Sequence, residues 1–111
     1  MQTSKNGVEF ILQHEGYREQ AYRDSGGKLT IGVGHLILPS ELKMTSVRIG
    51  GDFISYENGL TEDQVLALLA QDLTIYEGAV NGAVFIELNQ NQFDALVSFC
   101  FNIGTQGFRN S

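Results

Sequence analysis

Apolar residues near the start of the chain recur with helical spacing. Val8, Ile11, Leu12 and then Glu15 fall at i, i+3, i+4 and i+7, one stripe that Gly16 can terminate, which predicts a first helix from about Ser4 to Glu15. A second helix is announced by Thr61 as N-cap, Gln64 in the capping-box position and Leu60 stapled to Val65, and its pattern runs to about Gly78 or Asn81. A third starts at Asn89, with Gln92 in the same capping relation and a Leu88 to Phe93 staple, and stops at Gly104. Between the first two helices the pattern changes. Ala21-Tyr22-Arg23 and Lys28-Leu29-Thr30-Ile31 flank Ser25-Gly26-Gly27, so the region from about Arg18 to Val33 reads as a short hairpin. The stretch from Leu36 to Gly59 is irregular, with Gly50-Gly51 able to turn a small extra hairpin. The fold class is α+β: a helix and small antiparallel β-lobe over residues 1–59, then a helical part over 60–111, in a single domain.

The third helix sets a packing problem. Phe93, Ala95, Leu96, Val97, Phe99, Cys100, Phe101 and Ile103 make it apolar around most of its circumference, so it is expected to be buried on all sides, yet only Thr105 to Ser111 follow it. Three explanations are open: a fragment of a longer protein, a shortened protein that self-associates as a homo-oligomer, or a missing lobe supplied by a partner chain over the apolar helix 90–103.

Composition narrows the function. With 13 acidic against 7 basic residues the formal charge is −6, which argues against nucleic acid or anionic lipid as a partner. Cys100 is the only cysteine, which excludes an intramolecular disulfide, and its place on an apolar helix predicts a buried structural thiol. The N-terminus leads into an amphipathic helix rather than a basic region and a long apolar run, so neither signal peptide nor membrane insertion is expected and the chain should fold in the cytoplasm. His14 and His35 lack metal-ligand spacing with any Cys or acid cluster, so no metal is expected. Gly32-Val33-Gly34 lacks the third glycine and following helix of a dinucleotide loop. It reads as backbone running close to a substrate, and no cofactor is implied.

The candidate chemistry lies between Glu15 and His35. Glu15 ends an inward stripe at a helix C-terminus, where partial desolvation and the helix dipole both disfavour the ionised carboxylate. It is a candidate proton donor. The hairpin brings Asp24 and Thr30 near each other beside that helix end. An acid, a second carboxylate and a hydroxyl to hold water are what cleavage of a glycosidic bond requires. Taken singly, Glu15 could equally be a surface residue, Asp24 a turn-initiating Asp and Thr30 a branched strand residue.

Eight residues separate Glu15 from Asp24 and five separate Asp24 from Thr30. The segment closely resembles the catalytic signature of phage-type lysozymes, the endolysins of glycoside hydrolase family 24, E-G-x-R-x-x-x-Y-x-D-x-x-G-x-x-T-I-G-x-G-H. Every fixed position is met, by Glu15, Gly16, Arg18, Tyr22, Asp24, Gly27, Thr30, Ile31, Gly32, Gly34 and His35. Gly59 to Leu73 is similar to the family's long connecting helix, and Asn91 to Gly104 to its central buried helix.

The resemblance implies a lysozyme-like fold and a peptidoglycan muramidase that cleaves between N-acetylmuramic acid and N-acetylglucosamine. It implies Glu15 as general acid, with Asp24 and Thr30 positioning the attacking water; a water between acid and base implies inversion at the anomeric carbon. Gly34, Leu36, Phe101 and Asn102 match substrate-cleft positions, although a packing role for Phe101 and Asn102 stays equally open. Asp72, on the buried stripe of the second helix, needs a partner, and His35 is the matching one in the family, a structural ion pair. Arg18 either holds the Glu15 carboxylate or sits on the surface, and the resemblance favours the first. Relatives continue past the equivalent of Phe108 to Ser111 into helices that form the far wall of the cleft, so the C-terminal helical lobe is expected to be incomplete. Family habit also implies action on the cell wall after release through a membrane pore made by a holin-type protein.

Overall fold

A computed structural model describes residues 1–109, with side chains described as far as Gly104. Asn110 and Ser111, and with them the end of the expected 60–111 helical part, lie outside the described residues. Helix α1 spans Lys5–Glu15, with the Ser4 hydroxyl accepting from the Gly7 N–H as N-cap. Strands β1 (Arg18–Arg23), β2 (Leu29–Gly32) and β3 (His35–Leu36) form an antiparallel sheet in that order. Tyr22 stands opposite Thr30, Thr30 opposite Leu36 and Ile31 opposite His35, with an irregularity in β1 between Arg18 and Tyr22.

The stretch expected to be irregular is more ordered than its sequence suggests. It holds a six-residue helix α2 (Pro39–Met44) and the hairpin of β4 (Ser46–Ile49) and β5 (Asp52–Ser55). The helix escapes a periodicity test because it is under two turns long, although Pro39 at its first position and Glu41 two residues later are start signals. The second hairpin follows the glycine pair as expected. Ile49 pairs with Asp52, and Gly50 and Gly51 between them have φ of 62° and 90°, the left-handed geometry of a two-residue turn. Gln71 fastens that turn to the next helix, donating to the Arg48 carbonyl at 2.8 Å and accepting from the Gly50 N–H at 3.1 Å.

The expected second helix is two, α3 (Glu62–Asp72) and α4 (Thr74–Ala83), joined at Leu73. The Leu73 N–H still reaches the Leu69 carbonyl and its own carbonyl still accepts from Glu77, so the junction is a bend in a nearly continuous ladder. Helix α5 (Gln90–Arg109) begins with the Asn89 and Gln92 capping box and is interrupted at Gly104 (φ 82°, ψ 160°), where the glycine predicted a stop. Its all-round burial is not found: Phe93, Val97 and Cys100 are buried, whereas Phe99 is 47% and Ile103 40% exposed.

One apolar cluster joins the parts. Val8, Ile11 and Leu12 of α1, Ile31 of β2, Val47 of β4, Val65, Leu68 and Leu69 of α3, and Phe93 and Val97 of α5 all belong to it. Each such side chain contributes about 2 kcal/mol from removal of apolar surface from water. The three-stranded sheet and the C-terminal end of α1 are thereby fixed against the same core.

Candidate functional site

Helix α1 ends where Gly16 takes φ 75° and ψ 169°, and its N–H closes the helix on the Leu12 carbonyl at 2.9 Å. The chain then leaves through Tyr17, whose hydroxyl donates to Glu62 Oε1 at 3.0 Å and so ties the corner to the first turn of α3. This corner, the Gly32-Val33-Gly34 turn and Phe101 of α5 enclose an open cleft of about 470 Å³, lined by Glu15, Gly16, Tyr17, Arg18, Tyr22, Gly32, Val33, Gly34 and Phe101. Gly34 has φ 69°, a conformation that favours glycine, so bare backbone faces the cleft there. Phe101 is held edge-on to Tyr76, ring centroids 5.2 Å apart.

Four of the residues singled out in the sequence therefore share one cavity: Glu15, Arg18, Gly34 and Phe101. Asp24, Thr30, Leu36 and Asn102 are not among the lining residues. Thr30 sits one strand across from Tyr22, and Asp24 follows Tyr22 by two positions at the tip of the same hairpin. Leu36, opposite Thr30 on β3, and Asn102 are exposed.

The hairpin tip fixes Asp24 and Thr30 together. Asp24 Oδ1 accepts from the Gly26 N–H at 2.9 Å and the Lys28 N–H at 2.8 Å. The Lys28 carbonyl accepts in turn from the Asp24 N–H at 2.8 Å and from the Thr30 hydroxyl at 3.0 Å. Thr30 is almost fully buried, 3% exposed, so its hydroxyl is held in one orientation. Two capacities are left over: Asp24 Oδ2 as a proton acceptor, and the lone pairs of the Thr30 oxygen.

Two expectations need correction. Glu15 is exposed, so the desolvation inferred from its place on the apolar stripe is not supplied by the described residues; the stripe reaches the last residue of α1, but the core beneath it ends at Leu12. Arg18 forms no ion pair with Glu15 among the described residues. Its guanidinium carbon instead lies 4.7 Å from the centroid of the Tyr22 ring, a cation–π contact at the cleft wall.

The His35 and Asp72 pair is present, Nδ1 to Oδ2 at 2.8 Å. What the sequence reading missed is Glu41, whose Oε1 lies 3.1 Å from His35 Nε2. With a carboxylate at each ring nitrogen, the protonated ring can donate from both. Burial by itself would lower the His35 pKa, but hydrogen bonding and charge from Asp72, and then from Glu41, raise it above the ordinary 6.5. Glu41 is buried, which opposes its charge, yet the N–H groups of Leu38 (3.0 Å) and Arg48 (3.1 Å) together with His35 hold its pKa below the usual carboxylate value. One side chain thereby joins β3, α2 and β4 immediately behind the cleft turn. Among the described residues no three His, Cys, Asp or Glu side chains are arranged to hold a metal ion.

Comparisons with known proteins give the family and the fold. The phage lysozyme family model matches residues 12–111. The endolysin of Salmonella phage P22 is 39% identical over 111 residues, covering all of this chain and 69% of the relative. A crystal structure of a P22 lysozyme mutant superposes with a TM-score of 0.80 at 38% identity, over 100% of this chain and 69% of that one. The muramidase domain of SpmX from Asticaccaulis excentricus gives 0.76 at 41% identity, over 99% of this chain and 65% of that one. The fold is lysozyme-like, and the chain spans about two thirds of the length of these relatives.

Proposed function

The chain belongs to the phage lysozyme family, and from that premise we propose that it is a muramidase, hydrolysing the β-1,4 bond between N-acetylmuramic acid and N-acetylglucosamine in the bacterial cell wall. The observation that carries the proposal is Glu15 on the wall of a cleft beside a hairpin that presents Asp24 Oδ2 and an oriented Thr30 hydroxyl.

In the proposed reaction the glycan lies along the cleft over the Gly34 backbone. Sugar bound there covers Glu15, which is exposed in the free chain, and excludes water from around it. Glu15 then protonates the glycosidic oxygen as the bond to the anomeric carbon breaks. On the other face a water donates one hydrogen to Asp24 Oδ2 and the other to the Thr30 oxygen, whose own proton is committed to the Lys28 carbonyl. The water oxygen attacks the anomeric carbon and Asp24 takes its proton, giving inversion. Leu36 and Asn102 would contact sugar units further along the chain, and wall access would follow release through a pore made by another protein. Among the described residues no helix is long and apolar enough to cross a membrane.

Replacing Glu15 by Gln should abolish clearing of a purified cell-wall suspension while leaving the thermal melt unchanged. Clearing at the parental rate would end the proposal. The openness of Glu15 favours a second reading, a module that binds wall glycan without turnover. Retention on pelleted walls with no release of reducing ends by the parent chain would select it.

A further inference from the structure

Arg18 is the one cation among the described residues that line the cleft. Among the described residues no lysine or arginine makes an ion pair, Arg18 included, although Glu15 is three positions away. The Arg18 guanidinium carbon instead lies over the Tyr22 ring, 4.7 Å from its centroid. Tyr22, on the edge strand β1, is placed by its register with Thr30 of the central strand β2. The contact uses the charge of the guanidinium and leaves its N–H groups, which make no hydrogen bond among the described residues, available to a planar anion. Stacking also lowers the entropy lost when a ligand is gripped.

We propose that Arg18, braced by Tyr22, is the subsite for a carboxylate carried by the substrate glycan. This rests on the muramidase reading, in which every second sugar bears a lactyl ether that leads into a peptide with free carboxylates. The role of the pair is specificity. It makes the cleft prefer an anionic, peptide-bearing glycan to an otherwise identical neutral one, in a protein whose net charge repels such a substrate. A guanidinium lining the same cleft as Glu15 and free to engage the ligand also offsets the repulsion between that acid and an incoming carboxylate.

The test uses purified cell walls in two forms, native and with carboxylates converted to methylamides, which leaves the glycan and any phosphodiesters intact. For the parent chain, KM should be lower on native walls by roughly tenfold, the worth of one charge-assisted contact. Arg18→Gln should raise KM on native walls to the amidated value, change it little on amidated walls, and leave kcat within about twofold. Arg18→Lys should recover part of the preference, because it keeps the charge without the fork, and Tyr22→Leu should fall between Arg18→Gln and the parent. Equal KM increases on both wall forms, or a parent preference that survives Arg18→Gln, would overturn the proposal.

The same four proteins are assayed by co-sedimentation with both wall forms. That arm reads the preference without turnover, so it stands even where the parent proves inactive and the muramidase reading fails. A parent that sediments equally with native and amidated walls would overturn the subsite.

Discussion

Glutamine in place of Glu41 tests the ion cluster behind the cleft. His35, Glu41 and Asp72 side chains are 13%, 7% and 29% exposed, so Glu41 is the member most shielded from water and its pair with His35 the least screened. Glutamine keeps the shape, but a single carbonyl oxygen must replace two carboxylate oxygens that now accept from Leu38, Arg48 and His35. Removing one partner of such a pair costs about 3 kcal/mol, the low end for buried pairs because Asp72 still holds the ring. For a chain of this size that lowers Tm by roughly 12 °C.

The cost must also depend on pH. The His35 pKa is raised, so its stabilisation is complete below 6.5 and is lost as pH climbs through the raised value. The Glu41 pKa is lowered from 4.5, so its stabilisation is present above that value and lost as pH falls through the depressed one. The parent should therefore be most stable between these limits, and Glu41→Gln most damaging there. Thermal melts of both proteins from about pH 5 to pH 9 stay clear of tyrosine titration and read this directly. A difference in Tm that is constant across the range, or that widens toward pH 9, would refute the charged clamp.

Two further outcomes follow from backbone geometry and packing. Gly59→Ala should destabilise by roughly 2 kcal/mol, because φ is 87° and a Cβ would lie 2.6 Å from Gln20 Nε2 and 3.1 Å from the Glu19 carbonyl oxygen, whereas Gly50→Ala, at φ 62° with open space around it, should cost about 1 kcal/mol; equal urea midpoints would contradict this. Asp94→Ala should cost about 2 kcal/mol by freeing the Ser4 N–H, the Ser4 hydroxyl and Gln90, which it now gathers at the junction of α1 and α5, and a loss under 0.5 kcal/mol in chemical denaturation would show that the junction is held otherwise.

Much of this was legible because several decisions are local. Thr61 with Gln64 and Asn89 with Gln92 satisfy helix-end donors within four residues, and Gly50-Gly51 fixes a turn by its own freedom to take positive φ. Asp72 read as an acid in need of a partner because it continues an apolar stripe, and the family resemblance pointed to His35 as that partner. Other features depend on what lies across space. Glu15 continues the stripe of α1, but whether anything covers it is decided by other segments. Glu41 sits in a helix too short to show a period, and its three partners come from separate elements, so only its place two residues after Pro39 hinted at a role. The bend at Leu73 leaves the helical pattern of the sequence intact and could not be read from it.

The doubly used Lys28 carbonyl has a consequence for how this hairpin can vary. Because the main chain at Asp24 and the side chain at Thr30 hang from one oxygen, a change of loop length between them shifts both groups as a unit and leaves their mutual spacing hostage to a single peptide plane. Grafts or insertions at Gly50-Gly51, whose tether to Gln71 involves neither group, should leave that spacing intact, while a change of length within residues 25–27 should not.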